Sequence, residues 1–379
     1  MSSFIDVRGL ATHLAVDGPP GAPAILLVHS LGSSLRLWDA QAEALARGHR
    51  VVRFDLRGHG LTEVGAGPCT VEDLADDALA VLDACGIAAA HVCGVSIGGM
   101  VAQAVAARAP ARVRSVMLCD TALALPPPER WRQRAALVRA EGMAAVADAV
   151  LARWVPADYL ASPAGRGLRQ QLLRTPAEGY AALAEALAVA DLSRTTPQIR
   201  APALVVVGEL DPSTPVVAAE ALRDAVPGAR LTVIPGALHV PMLDRPDAVT
   251  AALLEFLTPR DAEAGLRARR EVFGAEYVDR AAAGAGDLDR DFQAFINQAA
   301  WSVWARPHFD RRTRSIVTIA LLAALGRHNE LALHCRAIRR TGASPADLAE
   351  LMLHVAVYAG VPAANSALRI AKQALEEVP

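Results

Sequence analysis

A serine, an aspartate and a histidine stand in this sequence in the chain order that nucleophile, orienting acid and general base require. Ser96 lies in Gly94-Val95-Ser96-Ile97-Gly98, between His91-Val92-Cys93, which reads as the end of a buried strand, and the small-residue helix Gly99–Ala107. The flanking glycines let the chain turn sharply and hold the hydroxyl exposed at the helix N-terminus. There free amides and the helix dipole favour developing negative charge. Asp211 follows the apolar run Val205-Val206-Val207, with Glu209 as a neighbouring competitor, and His239 follows the last apolar run in Pro235-Gly236-Ala237-Leu238-His239. A serine hydroxyl becomes a useful nucleophile when a histidine takes its proton and an acid orients that histidine. The expected chemistry is acyl transfer through an ester on Ser96. The oxyanion would rest on the backbone amides of Ile97 and Leu31, the latter from the loop His29-Ser30-Leu31-Gly32. Serine at position 96 excludes reactions that need an aspartate nucleophile there. His29, His59 and His91 are expected to hydrogen-bond backbone around the loops.

These side chains need a scaffold that brings strand ends side by side. Phe4–Arg8 and Thr12–Asp17 read as an antiparallel hairpin turning near Gly9. Apolar runs follow at Ile25–Val28, Val51–Phe54, His91–Val95, Val113–Cys119, Leu204–Val207 and Leu231–Ile234. Amphipathic stretches separate several of them, such as Val71–Cys85, opened by a capping box from Thr70 to Asp73. Short apolar strands with helical crossovers predict a mostly parallel sheet covered on both faces, with ligands beyond the carboxyl ends of its strands. From Pro126 to about Pro197 the pattern is helical without a convincing strand, which predicts a cap. After Thr258-Pro259-Arg260-Asp261 it is helical throughout, and Ser344-Pro345-Ala346-Asp347 marks one helix start. The fold class is therefore α/β: residues 1–259 with a helical cap, then a smaller all-α domain at residues 262–379.

The 379 residues are comfortable for two domains, and 53% hydrophobic with 21% charged residues is the composition of a packed globular protein. A net charge of −2 gives no reason to expect nucleic acid or an anionic membrane as partner. Lys372 is the only lysine, so arginine abundance by itself carries no functional meaning. No apolar run is long enough to span a bilayer, and the start has no basic segment followed by an apolar stretch. Cys69, Cys85, Cys93, Cys119 and Cys335 show no paired spacing. A reduced cytoplasmic compartment is the expectation.

His29-Ser30-Leu31-Gly32, Trp38-Asp39, Arg53-Phe54-Asp55-Leu56-Arg57-Gly58-His59-Gly60 and Gly94-Val95-Ser96-Ile97-Gly98-Gly99 together resemble 3-oxoadipate enol-lactonases, a branch of the α/β-hydrolases, from about Val7 to Leu257. The second region resembles 4-carboxymuconolactone decarboxylase from about Gly265 to Ala374. The stretches that carry this are Arg270-Glu271-Val272-Phe273-Gly274, Ala300-Trp301-Ser302-Val303-Trp304-Ala305-Arg306-Pro307, Thr313–Thr318 and Tyr358–Ala364. Ser302 stands where family members commonly carry glycine. The pairing implies a bifunctional enzyme of protocatechuate catabolism, because the decarboxylase product is the lactone that the hydrolase opens.

The resemblance implies a carboxylated lactone as substrate, hence a cation in or near the cap. Arg130, Arg132 and Arg153 are candidates, with Trp131 and Trp154 as walls; solvated arginines and packing tryptophans are the alternative. In Asn329-Glu330-Leu331-Ala332-Leu333-His334, Glu330 and His334 share a helix face. That suits a histidine proton donor oriented by a carboxylate, or a plain surface ion pair. Arg306 could bind a substrate carboxylate. No cofactor is expected, and His308, His328, His334 and His354 lack metal-ligand spacing. The helical domain is expected to drive homo-oligomer formation. The rival reading is a serine esterase or C–C hydrolase with a non-catalytic helical domain.

Overall fold

The computed structural model describes residues 2–257, 262–284, 286 and 289–377, so the expected linker Thr258–Asp261 lies outside the described residues. Two compact units divide the chain, Met1–Phe256 and Leu257–Pro379.

The apolar runs of the first unit form eight strands: β1 (Ser2–Val7), β2 (Leu10–Asp17), β3 (Ala24–Val28), β4 (Arg50–Phe54), β5 (Ala90–Val95), β6 (Val113–Cys119), β7 (Ala203–Gly208) and β8 (Arg230–Ile234). They join one sheet in the order β1-β2-β4-β3-β5-β6-β7-β8. β2 pairs antiparallel with β1 and β4, and every later pairing is parallel. The hairpin is longer than its apolar pattern suggested, because Arg8 and Gly9 both take positive φ (53° and 82°), and such a two-residue turn lets pairing run to the turn. β3 and β7 are buried along their whole length, as continuous apolar strands inside a parallel sheet must be.

The sheet order matters because β5, β6, β7 and β8 are successive neighbours. Whatever follows their carboxyl ends is gathered along one edge. β5 runs into Ser96 and the helix Ile97–Arg108, whose residues from Ile97 to Ala106 are buried. The glycines here serve close approach: a Cβ on Gly98 would lie 2.4 Å from the Val28 carbonyl oxygen, and one on Gly94 would lie 1.9 Å from that of Gly98. Helix Val71–Ala84 opens with the Thr70/Asp73 capping box.

Between β6 and β7 five helices form the cap: Pro128–Glu141, Ala144–Trp154, Ala157–Ala161, Pro163–Leu173 and Ala177–Val189. Its neck closes through a single bridge, Ala124 with Asp191, and a bond from the Leu192 amide to the Leu123 carbonyl at 2.8 Å.

The second unit is helical throughout its described residues. Helices Arg311–Ala324, His328–Arg336, Pro345–Tyr358 and Val361–Glu376 share a core around Ile319, Leu331, Cys335, Met352 and Ala367. Ser344 and Asp347 make the capping box read from sequence. A smaller cluster joins Ala268, Val272, Trp301 and Ala337. A wide π-type stretch, Ile296–Trp301, leads into it.

Candidate active sites

Ser96 occupies the turn between β5 and its helix at φ 58°, a left-handed conformation that a serine adopts only when its surroundings enforce it. Two bonds do so: its amide donates to the Cys119 carbonyl at 3.0 Å, and its carbonyl accepts from Thr121 Oγ1 at 2.7 Å. The Asp211 Oδ2 lies 2.7 Å from His239 Nδ1 and accepts from Thr214 Oγ1 at 2.5 Å. Its Oδ1 accepts the amides of Ser213 and Thr214 at 2.7 and 3.2 Å. Burial works against ionisation of Asp211, but the His239 charge and these donors outweigh it and hold the carboxyl below its ordinary range. The neighbouring Glu209 is used elsewhere, accepting the Gly236 amide at 2.7 Å. Ser96, His239 and Leu31 line one cleft, and Ile97 is the first residue of the helix behind it.

The cap supplies the rest of that cleft. Trp131 and Trp154 are buried in its wall, and Trp131 Nε1 donates to the Leu125 carbonyl at 2.8 Å. Arg130 and Arg153 line it, but Arg132 does not: it is exposed and pairs with Glu129 at 3.4 Å. Helical geometry explains the correction, since residue 132 points away from the face shared by 130 and 134. Arg134 takes its place in the cleft, and its i+4 spacing from Arg130 was the signal available in the sequence. The guanidinium carbons of Arg130 and Arg134 lie 5.0 and 4.8 Å from the Trp131 ring centre. Burial, then the charges of Arg134 and Arg153, lower the pKa of Arg130. Among the described residues no acidic side chain pairs with any of the three, and Arg130 Nε is buried without a partner. A cleft holding three arginines and no carboxylate is built for an anion.

The loop histidines are structural. His29 holds two loops, with Nδ1 2.8 Å from the Ser30 carbonyl and Nε2 accepting the Leu56 amide at 2.9 Å. His59 Nδ1 lies 3.1 Å from the Arg57 carbonyl. His91 departs from the expectation of backbone bonding: its partner is Ser115 Oγ at 2.8 Å on the adjacent strand, because a strand's carbonyls are already used by the ladder.

In the second unit, His334 is enclosed by rings. Phe273 lies 4.9 Å from it edge-on, and Trp304 and Trp301 stack at 5.7 and 6.3 Å between centroids. Its Nδ1 is buried and meets no hydrogen-bond partner among the described residues. Burial pushes the imidazole down to about 4 despite the charge of Glu330, so it is neutral at neutral pH. The expected Glu330–His334 pairing is absent among the hydrogen bonds and ion pairs of the described residues. Glu330 is exposed and lines a groove with Phe273, Tyr277 and Arg340. The imidazole packs among the rings, whereas the carboxylate is solvated. Arg306 is exposed, and its carbonyl accepts from Arg314 at 2.9 Å. Arg314, half-buried with an unpartnered Nε, was not singled out from sequence. Burial pushes the Cys335 thiol up to about 11, which leaves it unreactive.

Residues 23–246 match the family model for the α/β-hydrolase fold. The chain belongs to that family. Residues 290–373 match the carboxymuconolactone decarboxylase family, so the chain is a fusion of the two. The first part is 33% identical over 242 residues to 3-oxoadipate enol-lactonase 1 of Acinetobacter baylyi, covering 63% of this chain and 90% of that protein. The second is 45% identical over 115 residues to 4-carboxymuconolactone decarboxylase of the same organism, 30% of this chain and 86% of that one. The crystal structure of the enol-lactonase from Burkholderia xenovorans superposes with a TM-score of 0.66 at 41% identity, covering 68% of this chain and all of the other.

Proposed function

We propose that the chain catalyses two consecutive steps of the β-ketoadipate pathway: decarboxylation of 4-carboxymuconolactone to the 3-oxoadipate enol-lactone, then hydrolysis of that lactone to 3-oxoadipate. The observation that carries this reading is the presence in one chain of both domains, the first with an oriented serine site inside an arginine-lined cleft. A purified protein that releases carbon dioxide and 3-oxoadipate from carboxymuconolactone would support it. Ester turnover without carbon dioxide release would favour the rival esterase.

In the hydrolytic step, His239 takes the Ser96 proton as Oγ attacks the lactone carbonyl. Asp211 stabilises the imidazolium, and the amides of Ile97 and Leu31 hold the oxyanion. The ring C–O bond breaks, and the His239 imidazolium gives its proton to the departing enolate, which becomes the ketone and leaves the imidazole neutral again. Water activated by His239 then frees the acid. Arg130, Arg134 and Arg153 hold the substrate's free carboxylate through this sequence.

In the decarboxylation, the neutral His334 site suits an anionic substrate that brings its own counter-charge. Arrival of the carboxylate raises the imidazole's proton affinity. The imidazole then takes a proton from solvent, loss of carbon dioxide leaves the bonding electrons delocalised into the lactone, and the imidazolium gives that proton to ring carbon. Neither step calls for a metal or an organic cofactor.

Self-association through the second unit is part of the proposal and is supported by its exposed apolar residues. Val317 and Leu321 are exposed on one helix, with Leu325 at its C-cap continuing the four-residue spacing, and Leu353, Val357 and Tyr358 stand out on another. A monomer by light scattering at micromolar concentration would refute it. No helix among the described residues is long and apolar enough to cross a membrane. With the unpaired cysteine pattern, that supports a cytoplasmic location, which fractionation would test.

A further inference from the structure

Four successive strands end at this catalytic edge, and the hydrolytic site as described uses three of them. The fourth, β6, is followed directly by Asp120, which is fully buried and takes φ 43°. Its amide donates to the Val206 carbonyl at 2.8 Å, and its Oδ1 accepts the Gly208 amide at 2.8 Å, so this residue stitches the end of β6 to the end of β7. Oδ2 meets no donor among the described residues. Carboxylate oxygens of Asp120 and Asp211 and a ring nitrogen of His239 all lie within 4.8 Å of one another.

Two ionised carboxylates cannot share so small a dry space, and a single proton between them relieves the repulsion. The bonding pattern decides which acid holds it. Asp211 faces Thr214 Oγ1, two backbone amides and the imidazole; Asp120 faces one amide. We propose that Asp120 is a positioning residue of the hydrolytic site, held as the neutral acid, whose carboxyl proton is donated to the Asp211 carboxylate. The titratable groups around it are Asp211, His239 and Cys119, and burial first, then the Asp211 charge, raise its pKa well above the carboxylate range. Asp120 thereby fixes the angle at which Asp211 meets His239. The next residue extends the same brace: Thr121 Oγ1 holds the Ser96 carbonyl, and its side chain fills the space where a Cβ on Gly99 would come within 2.6 Å. Residues 120 and 121 together brace the loops of both the acid and the nucleophile.

The inference rests on the Ser96 hydrolase reading but not on which lactone is opened. Turnover is therefore measured with the enol-lactone and with a chromogenic short-chain ester, each checked by Ser96→Ala in the full chain. Asparagine reproduces the proposed arrangement, with Oδ1 accepting from Gly208 and Nδ2 donating to Asp211. Asp120→Asn is expected to keep close to the wild-type rate, with a pH profile of kcat/KM that superimposes on the wild type. Asp120→Ala is expected to lose kcat by about 10- to 100-fold with little change in KM, the usual cost of removing a partner that orients a reacting group. An acid limb shifted to lower pH in Asp120→Asn would mean that an ionised neighbour had been removed, and would overturn the proposal. So would wild-type kcat in Asp120→Ala. If the alanine variant does not fold, the asparagine profile still decides. Turnover indifferent to Ser96→Ala would instead overturn the hydrolase reading, and this inference with it.

Discussion

Asp211 in the first unit is met by four hydrogen-bonding groups, whereas His334 in the second is packed among rings with its Nδ1 meeting none. The two surroundings suit different charge flows. Acyl transfer creates an oxyanion and an imidazolium, which fixed dipoles must stabilise as they form. Decarboxylation starts from a localised carboxylate and disperses its charge, so a pocket that solvates carboxylates poorly favours departure. The same residue type, histidine, is thus held by a carboxylate in one unit and by aromatic faces in the other.

The sharpest way to separate the two units is Ser96→Ala. Loss of the nucleophile typically costs on the order of 10⁴–10⁶ in kcat. Lactone opening should fall to its spontaneous rate while carbon dioxide release continues, so that the enol-lactone accumulates. Enzymatic opening at the wild-type rate would refute the assignment.

His334→Ala probes the other side. General acid catalysis is worth about 10²–10⁴-fold, and that loss is expected in carbon dioxide release, with Ser96-dependent hydrolysis unchanged. Because Glu330 makes no hydrogen bond to the ring, Glu330→Gln should cost far less. An equal loss in both variants would show that the two act as a pair after all.

The cap arginines give a smaller contrast inside the first unit. Hydrogen bonds to charged groups contribute about 1.5–3 kcal/mol, so Arg134→Ala should raise KM for the carboxylated lactone roughly 10- to 100-fold. It should spare a neutral ester, and Arg132→Ala, which removes only an exposed pair, should change neither. Equal effects on charged and neutral substrates would remove the carboxylate role.

The smallest effect expected is on stability in acid. Burial pushes His59 down to about 3 and His91 to about 4 in the first unit, and His334 to about 4 in the second. For a histidine whose folded pKa is depressed, stability is fully present above the unfolded value of about 6.5 and is lost as pH falls below it. Melting temperatures should therefore decline from pH 7 to pH 5 in both units. His59→Gln should flatten part of that decline in the first, and a pH-independent melt would contradict the burial argument.

Much of this was written in local patterns. Predominantly apolar runs of four to seven residues specified β3 to β7 because both faces of an inner parallel strand are covered. The capping boxes at Thr70 and Ser344, the order Ser96, Asp211, His239 and the helical second unit are likewise properties of short segments. What the sequence could not decide were matters of direction and neighbourhood. Whether Arg132 or Arg134 faces the cleft depends on the rotation of one cap helix, fixed by what that helix packs against. Whether Glu330 meets His334 depends on rings contributed by Phe273, Trp301 and Trp304, far away along the chain. Asp120 carries no signal in the sequence for the same reason: only the adjacency of β6 and β7 brings its carboxyl to Asp211. Local periodicity sets which residues form an element, but a side chain's partners are set by the contacts between elements, and those exist only once the chain has folded.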